Sequence, residues 1–424
     1  VPVGSGRMST AFSLVTSTLI VGWLGLGAHQ IEQATVNLAM LPTHDGAPMR
    51  IVPVHQVAAA SRPPAAQSAS NSVGEGQKVS KVLDIGPSHS YTTVVGALYG
   101  MMQGAGRTEW SYARLQGVVG HAFGFVMKKG DGEVWQEAFL DYGAEATFLD
   151  MLSELGYRFQ RFEALGKGAE RELSARQAEA WTAVRASIDR GVPAMAGNPM
   201  SREQEEDGLR AYIWGMLVGY DEAEETYTVR HQYVNRGTEA FTLRYDALGS
   251  AQPGRSWFCV LVCDTSEPVD STDVHITALR NAVAMANGTR YGADDIGYRV
   301  DATGFAAYEL WREGIGADVA TPARAQRHAW ELHVAREHAV AYLQELVDIY
   351  PAAADALEGA IAAYGREVAT TQRIQEVCQE AEEAGEFSAD ARAKVQGLVT
   401  ASLEADRAAI ASVEAAIAIL DSPQ

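Results

Sequence analysis

Residues 86–126 read GPSHSYTTVVGALYGMMQGAGRTEWSYARLQGVVGHAFGFV, and this stretch decides which fold we expect. A Gly-Pro turn stops the preceding segment, after which apolar residues between positions 94 and 102 recur at helical spacing. Ser88 or Ser90 could cap this helix, because a hydroxyl oxygen accepts hydrogen bonds from the unpaired N–H groups of a first helical turn. The chain therefore places His89 and Ser90 at the positive end of a helix, where a developing negative charge is stabilised.

Helical and strand patterns alternate from this stretch to about residue 265. Helices are predicted at 145–156 and at 173–190, the latter beginning at a Ser174 cap and ending before Gly191. The strand predictions are a hairpin over 120–135 that turns at Gly130-Asp131-Gly132, a buried strand over 192–198, a hairpin over 212–232 and a core strand over 256–264. Because the helices alternate with antiparallel strands, we expect residues 79–265 to form an α+β domain.

The remainder of the chain is predicted to be almost entirely helical. The long helices are expected at 323–349, 351–384 and 388–420, with Pro351 opening the second and Gly385 closing it. Their apolar stripes include Leu357, Ile361, Ile410 and Val413. We expect residues 274–421 to form an all-helical domain through which the chain could self-associate. The segment after about residue 322 is expected to be a separate packing unit, with its apolar stripes buried within it or against residues 275–315.

The first residues carry a targeting pattern. Arg7 precedes an apolar run from residue 11 to residue 28, which is typical of a secretory signal and borders on the length of a membrane-spanning helix. Residues 1–28 are therefore interpreted as a signal peptide or a membrane anchor, with a buried helix as the remaining alternative. Residues 29–78 are interpreted as a low-complexity linker. Either of the first two interpretations implies export, so that the protein would be secreted, periplasmic or membrane-anchored.

Composition excludes some partners and some chemistry. The net charge of −20 and the isoelectric point near 4.9 argue against nucleic acid as a partner. Three cysteines are too few for a disulfide framework, and Cys259 and Cys263 lie four residues apart on one predicted strand, roughly 13 Å from each other. That separation exceeds the reach of a disulfide, so we expect buried thiols, Cys378 included.

One predicted helix carries a group of potential metal ligands, which are His328, Glu331, His333, Glu337 and His338. Metal ligands on a helix need spacings of three or four residues on one face, and these side chains lie at different angles around the axis. We interpret the group as a solvated or ion-paired helix face. No metal or cofactor is expected.

Four segments carry a family resemblance when they are taken in order. The segments are HSYTTVVGALYGMM (89–102), YARLQGVVGHAFGF (112–125), VPAMAG (192–197) and WGMLVGYDEAEETYTV (214–229). In this order they resemble the papain-like domain of the butirosin-type acyltransferase group, over residues 83–265. The closest match is the pattern LxGxxGxAF, made by Leu115, Gly117, Gly120, Ala122 and Phe123. The later segments ALRNAVAMA (278–286) and GFAAYELW (304–311) resemble the usual carboxyl-terminal companion of that domain.

The resemblance implies three catalytic positions, and this chain has a different residue type at each of them. In such families a Cys at a helix N-terminus is the nucleophile, a His on a later strand activates it, and an Asn or Asp follows. The Cys position falls on Ser90, and the His position falls on Ile213, with Tyr212 and Trp214 alongside. The acidic position falls near His231 or Gln232, so all three positions depart from the pattern.

Two functional hypotheses follow from these departures. The first is a non-catalytic binding or scaffold protein on a degenerate papain-like fold, with a small molecule or peptide as its partner. The alternative is an acyltransferase or amide hydrolase that uses Ser90 as a nucleophile and His121 or His231 as its base. A structural envelope protein that oligomerises through its helical tail is a third, weaker interpretation.

Overall fold

A computed structural model describes the chain over residues 79–85, 93–127, 151–153, 156–166, 169–200, 213–231, 240–249, 256–266, 272–289, 301–317 and 320–422. These residues belong to one compact unit, Gly74–Gln424. Residues 1–78, the proposed caps Ser88 and Ser90, and the turn of the hairpin predicted over 120–135 lie outside the described residues. No helix among the residues described is long and apolar enough to cross a membrane.

The described residues contain one large antiparallel sheet. Its strands are β1 (Ser80–Val82), β3 (Tyr157–Gly166), β4 (Ala194–Gly197), β5 (Trp214–Asp221), β6 (Thr226–Arg230), β7 (Phe241–Arg244) and β8 (Ser256–Ser266). The strand order is β3-β8-β4-β5-β6-β7, and β1 pairs with the end of β5. The buried strands over 192–198 and 256–264 and the hairpin over 212–232 are thereby confirmed.

The helices lie on both sides of this sheet and beyond it. They are α1 (Thr93–Gly104), α2 (Tyr112–Val118), α3 (Glu170–Asp189), α4 (Thr272–Ala286), α5 (Phe305–Gly316), α6 (Pro322–Ile349), α7 (Ala354–Ala384) and α8 (Ala389–Leu420). The long helices agree with the predicted ones, and Gly385 ends α7 with a φ of 71°, a left-handed conformation that favours glycine. The coarse prediction of an α+β sheet region followed by a helical region is confirmed.

Strand alternation explains why both faces of the sheet are buried. Successive side chains of a strand point to opposite faces. Met195, Met216 and Leu261 join the apolar cluster that contains α1. Their neighbours Leu217 and Val260 join a second cluster, on the face covered by α3. A central strand with two covered faces is expected to be a continuous apolar run, as WGMLVGY and WFCVLVC are.

Two local predictions are wrong in part. Ser174 is not a cap, because α3 begins four residues earlier, after Ala169, which makes no side-chain cap. Acidic residues at the start of α3, such as Glu172, favour a helix N-terminus without a capping hydroxyl. Of the hairpin predicted over 120–135, residues 121–123 form a turn, and the strand is limited to β2 (Val126–Met127), which pairs with β9 (Ala302–Thr303). The predicted turn and return strand lie outside the described residues.

The helical region does not pack as a separate unit. Leu357 and Val413 are fully buried, as predicted, but they belong to the same apolar cluster as Met216 of the sheet and Leu115 of α2. The ends of α6, α7 and α8 that lie near α2 and α4 therefore complete the core on one side of the sheet. The opposite ends of these helices pack with α5 in a third apolar cluster, which contains Trp311 and Ile374.

Candidate functional site

The first described turn of α1 contacts the beginning of β5. The Trp214 backbone N–H donates a hydrogen bond to Thr93 Oγ1 over 2.9 Å, and both residues are buried. This contact places Trp214, the neighbour of the Ile213 position at which the resemblance expects a His, beside α1, the helix that follows Ser90 in the sequence. Ser90 and His89 themselves lie outside the described residues.

Asn198 connects the end of β4 to the beginning of β5. Ile213 N–H donates to Asn198 Oδ1 over 3.0 Å, and Asn198 N–H donates to the Ile213 carbonyl over 2.6 Å. Asn198 has a φ of 47°, which non-glycine residues rarely adopt and Asn tolerates best. Sequence analysis missed this residue, although an Asn before Pro199 at the end of a predicted strand is a recognisable signal for a turn.

The side chain of Trp214 lies in the apolar cluster on the sheet face that α1 covers. By strand alternation it lies on the same face as Met216 and Val218, and all three belong to the cluster that contains α1. Only 6% of Trp214 is exposed. The beginning of β5 therefore presents the apolar bulk of Trp214 to the face covered by α1.

His231 lies on the other face of the sheet. Because Met216 pairs with Arg230, His231 is opposite Gly215, and a Cβ built at Gly215 would lie 2.9 Å from His231 Cβ. This pair points to the face covered by α3, where the His231 ring meets Phe241 at 5.4 Å. Burial lowers the pKa of His231 to about 3, so the ring is neutral at physiological pH.

His121 lies at the contact with the helical region. It is buried, and burial lowers its pKa to about 3, with His338 and Arg336 of α6 adding positive charge nearby. The next residue, Ala122, accepts a 2.9 Å hydrogen bond from Arg336 Nη1. Of the predicted site residues, the structure thus describes His121 and His231, and it places them in different layers of the molecule.

The LxGxxGxAF pattern has a structural role in this contact. A Cβ built at Gly117 would lie 2.1 Å from Tyr342 Cδ1, so only glycine allows α2 to approach α6 this closely. Gly120 has a φ of 85°, and Phe123 packs against Tyr342 and Tyr364 at 6.1 and 6.0 Å between ring centroids. The segment that carries the family resemblance is therefore the segment that holds the helical region.

A buried charge network lies behind this segment. Arg336 is fully buried, and its guanidinium donates to Glu367 Oε2 at 2.9 Å, to the Tyr308 hydroxyl at 2.9 Å and to Asp406 Oδ2 at 3.2 Å. The Tyr308 hydroxyl is also hydrogen-bonded to Glu367. Burial raises the pKa of Glu367 to about 8, although Arg336 opposes this shift. The network connects α5, α6, α7 and α8 to the backbone of residue 122.

The α6 side chains considered as possible metal ligands contact other residues of the protein. Glu331 pairs with Arg327 at 2.9 Å, and His333 Nδ1 lies 3.1 Å from the Val368 carbonyl. His328 is buried against Trp311, with 6.0 Å between ring centroids. Within the described ranges no three His, Cys, Asp or Glu side chains are grouped as a metal would require.

The cysteines are free and buried, as predicted. Burial raises the pKa of Cys263 to about 11 and that of Cys378 to about 12. Both thiols are therefore protonated near neutral pH, whereas the thiolate is the nucleophilic form. Neither of these cysteines replaces the nucleophile that the resemblance places at Ser90.

Comparison with protein-family models gives no match for this chain, and comparison with curated proteins gives none either.

Proposed function

We propose that this chain is a non-catalytic binding or scaffold protein on a papain-like fold whose catalytic positions have been substituted. The single observation that carries the proposal is Trp214, whose buried side chain faces α1 at the beginning of β5. A hydroxyl nucleophile such as Ser90 requires a base within hydrogen-bonding reach. An indole cannot accept a proton at this position.

The papain-like part of the proposal is supported by the contact between α1 and β5. A nucleophile at the N-terminus of a helix can meet a His on a strand only if that strand begins beside the helix. The 2.9 Å hydrogen bond from Trp214 N–H to Thr93 Oγ1 brings the two elements together in this way. The antiparallel sheet behind them is consistent with the same arrangement.

The two imidazoles considered as bases give little support to the enzymatic alternative. The His231 ring is on the sheet face covered by α3, whereas α1 covers the opposite face. The His121 side chain is buried against α6, beside Arg336. A pKa near 3 makes either ring a weak proton acceptor, since general bases work best near the operating pH. We expect the end of the sheet near Thr93 and Asn198 to bind a small molecule or peptide without converting it.

Serine labelling tests the non-catalytic function directly. The wild-type chain is incubated with a fluorophosphonate probe and digested, and the peptide that contains Ser90 is examined by mass spectrometry. We expect no modification beyond the background of the Ser90→Ala variant. Stoichiometric labelling of Ser90 that is lost in His121→Gln or His231→Gln would establish the acyltransferase or amide hydrolase instead.

Reconstruction of a Cys–His pair tests the papain-like arrangement separately. Ser90→Cys alone should carry a thiol with a pKa near the ordinary value of about 8.5, measured from the pH dependence of iodoacetamide alkylation. Adding Trp214→His should lower that pKa by a unit or more, because an imidazolium stabilises a thiolate. Adding Trp214→Phe is the matched control and should not lower it. Equal pKa values in all three variants would contradict the papain-like assignment.

A further inference from the structure

One face of α8 is exposed from residue 397 to residue 418. Its residues recur at alternating steps of four and three positions, and they are Gly397, Ala401, Glu404, Ala408, Ala411, Ala415 and Ala418. All seven are exposed, whereas the opposite face of the helix, which includes Val395, Val399 and Val413, is buried. We call these seven residues the outer face of α8.

The spacing of the outer face is that of a coiled coil. Residues that repeat at steps of four and three keep one side of a helix turned toward a second helix. The exposed positions of the neighbouring helix α7 carry many charges, among them Glu358, Arg366, Arg373, Glu376 and Glu380. The outer face of α8 has a single charged residue in seven. Because alanine also favours helices in water, the partner of this face has to be argued from the residues beside it.

Two residues of opposite charge lie along one edge of the outer face. Arg407 directly precedes Ala408, and Glu414 directly precedes Ala415. Both are exposed, and they are seven residues apart, beyond the three or four positions at which helical side chains pair with each other. The Arg407 guanidinium lies over the Phe305 ring at 5.5 Å, and neither charge is in an ion pair with another described residue. Both charges are therefore available to a partner that carries the opposite charge at the matching place.

An α8 helix of a second copy, running in the opposite direction, provides that match. When Ala408 of one copy faces Ala411 of the other, Arg407 of each copy lies beside Glu414 of the other. Two equivalent ion pairs then form on either side of the two-fold axis. The further layers of the contact are Ala401 against Ala418 and Glu404 against Ala415.

A parallel pair of α8 helices does not give this match. In a parallel coiled coil the two edges meet with an offset of five residues, so that Arg407 would face Ser412 and Glu414 would face Ile419. The antiparallel pair instead brings Ile419, which is 42% exposed, beside the half-buried Leu398 of the other copy. The charges and the exposed apolar side chain thus favour the same orientation.

We propose that this chain forms an antiparallel, two-fold symmetric dimer through the outer face of α8. The contact is one pair of helices about 30 Å long, and each copy has a net charge of −20. The dimer is therefore weak, and it is favoured by salt that screens the long-range repulsion between the copies. The proposal is independent of the proposed function, because Thr93, Asn198 and Trp214 all lie outside α8.

Sedimentation velocity of the full chain tests the dimer and its charge pairs. In about 0.15 M salt, we expect dimers to form as the protein concentration rises from about 1 μM to about 1 mM. Arg407→Glu should weaken the association by about 10-fold, because two attractive pairs become repulsive. Adding Glu414→Arg to this variant should restore the association, since the pairs are rebuilt with their charges exchanged.

The matched control is Arg176→Glu, which makes the same change of charge at an exposed position of α3. It should change the association by less than Arg407→Glu does, because it alters only the overall repulsion. Monomers at every concentration would overturn the proposal. An equal loss in the two single variants, or no recovery in the exchanged pair, would overturn it as well.

Cysteine crosslinking tests the direction of the two helices. Under mild oxidation, a mixture of Ala401→Cys chains and Ala418→Cys chains should give a disulfide-linked heterodimer, because these positions face each other in the antiparallel pair. Each variant alone should stay uncrosslinked. The three native cysteines are buried and do not compete. A disulfide between two Ala401→Cys chains, or no crosslink in the mixture, would overturn the antiparallel arrangement.

Discussion

Arg336 holds a full charge where water does not reach, and both of its carboxylate partners are buried with it. Replacing Arg336 by Met would leave the buried Asp406 carboxylate without its cation and would remove the hydrogen bond to Glu367. Breaking a buried ion pair in this way costs about 3–5 kcal/mol. We therefore expect Arg336→Met to lower the free energy of unfolding in urea by that amount.

An exposed ion pair provides the control for this measurement. Arg312 pairs with Glu309 on the surface of α5, and Arg312→Met should change the free energy of unfolding by less than about 1 kcal/mol. Measured at pH 9, above the pKa of Glu367, the double variant Arg336→Met with Glu367→Gln should recover part of the loss, because one uncompensated carboxylate is removed. Equal effects of the two single Arg variants would show that the buried network contributes nothing specific.

Glu367 gives the network a pH dependence of its own. Its pKa is raised from 4.5 to about 8, so its contribution to stability is fully present below pH 4.5 and is lost as the pH rises through 8. In urea unfolding between pH 5.5 and 7.5, the difference between the wild-type chain and Glu367→Gln should shrink by about 1.4 kcal/mol per pH unit. The imidazoles cancel in this difference because both chains carry them. A difference that does not vary with pH would mean that Glu367 is ionised throughout.

Two helical glycines make a matched pair of tests at the residue scale. Gly117→Ala should destabilise the protein by about 1–3 kcal/mol, because its Cβ would meet the Tyr342 ring at 2.1 Å and the core cannot expand freely. Gly365→Ala in α7 meets nothing within 4 Å and should stabilise the helix by roughly 0.5–1 kcal/mol. Thermal unfolding should therefore shift in opposite directions for the two variants. A shift of Gly117→Ala to higher temperature would exclude the close approach of α2 and α6.

At the scale of elements, the sequence predicted those helices and strands whose ends carry their own signals. Pro351 and Gly385 bracket α7 because one residue fixes φ and the other permits a left-handed end. The partner of β2 could not be predicted, since pairing with Ala302–Thr303 depends on how the intervening chain returns. The prediction that Ser174 caps α3 was wrong because several nearby residues are equally acceptable at the first position of the helix, and α3 begins at Glu170.

Ser388 and Ser174 test how much a serine stabilises a helix when it caps the N-terminus and when it does not. Ser388 is the N-cap of α8, and its hydroxyl accepts the Ala391 N–H. Ser388→Ala should cost about 1 kcal/mol in the free energy of unfolding. Ser174→Ala, within α3 and exposed, should cost nothing or stabilise the helix by a few tenths of a kcal/mol. A larger loss for Ser174→Ala than for Ser388→Ala in urea unfolding would restore the cap that the sequence suggested.

The candidate site shows the same limit of prediction at the scale of the whole molecule. The sequence analysis singled out the apolar residues Ile213 and Trp214, and the structure places both, buried, at the beginning of β5. It could not assign a face to His231 or a neighbour to His121. The face of His231 depends on strand register, and the surroundings of His121 are supplied by α6, more than 200 residues later. Asn198 was missed because its role depends on a contact with Ile213 across the end of the sheet.

The shared core leads to a prediction about the whole chain. Apolar residues of α2 and α4, such as Leu115 and Leu279, are fully buried in the cluster to which α6, α7 and α8 contribute. The sheet also has an independent cluster against α3, which contains Leu217 and Val260. A truncated chain that ends at residue 289 should therefore keep the sheet but expose the face that the long helices cover.

Each apolar side chain that loses full burial costs about 1.5–3 kcal/mol, so the truncated chain should unfold at a clearly lower temperature. It should also bind a hydrophobic dye and associate, since large exposed apolar patches do so. Removal of residues 1–78 is the matched truncation. It should leave the thermal transition in place, because residues 29–78 have a linker-like composition with too few apolar residues to build a core. If the chain ending at 289 were monomeric, free of dye and as stable as the full chain, the helical region would be an independent domain, as the sequence first suggested.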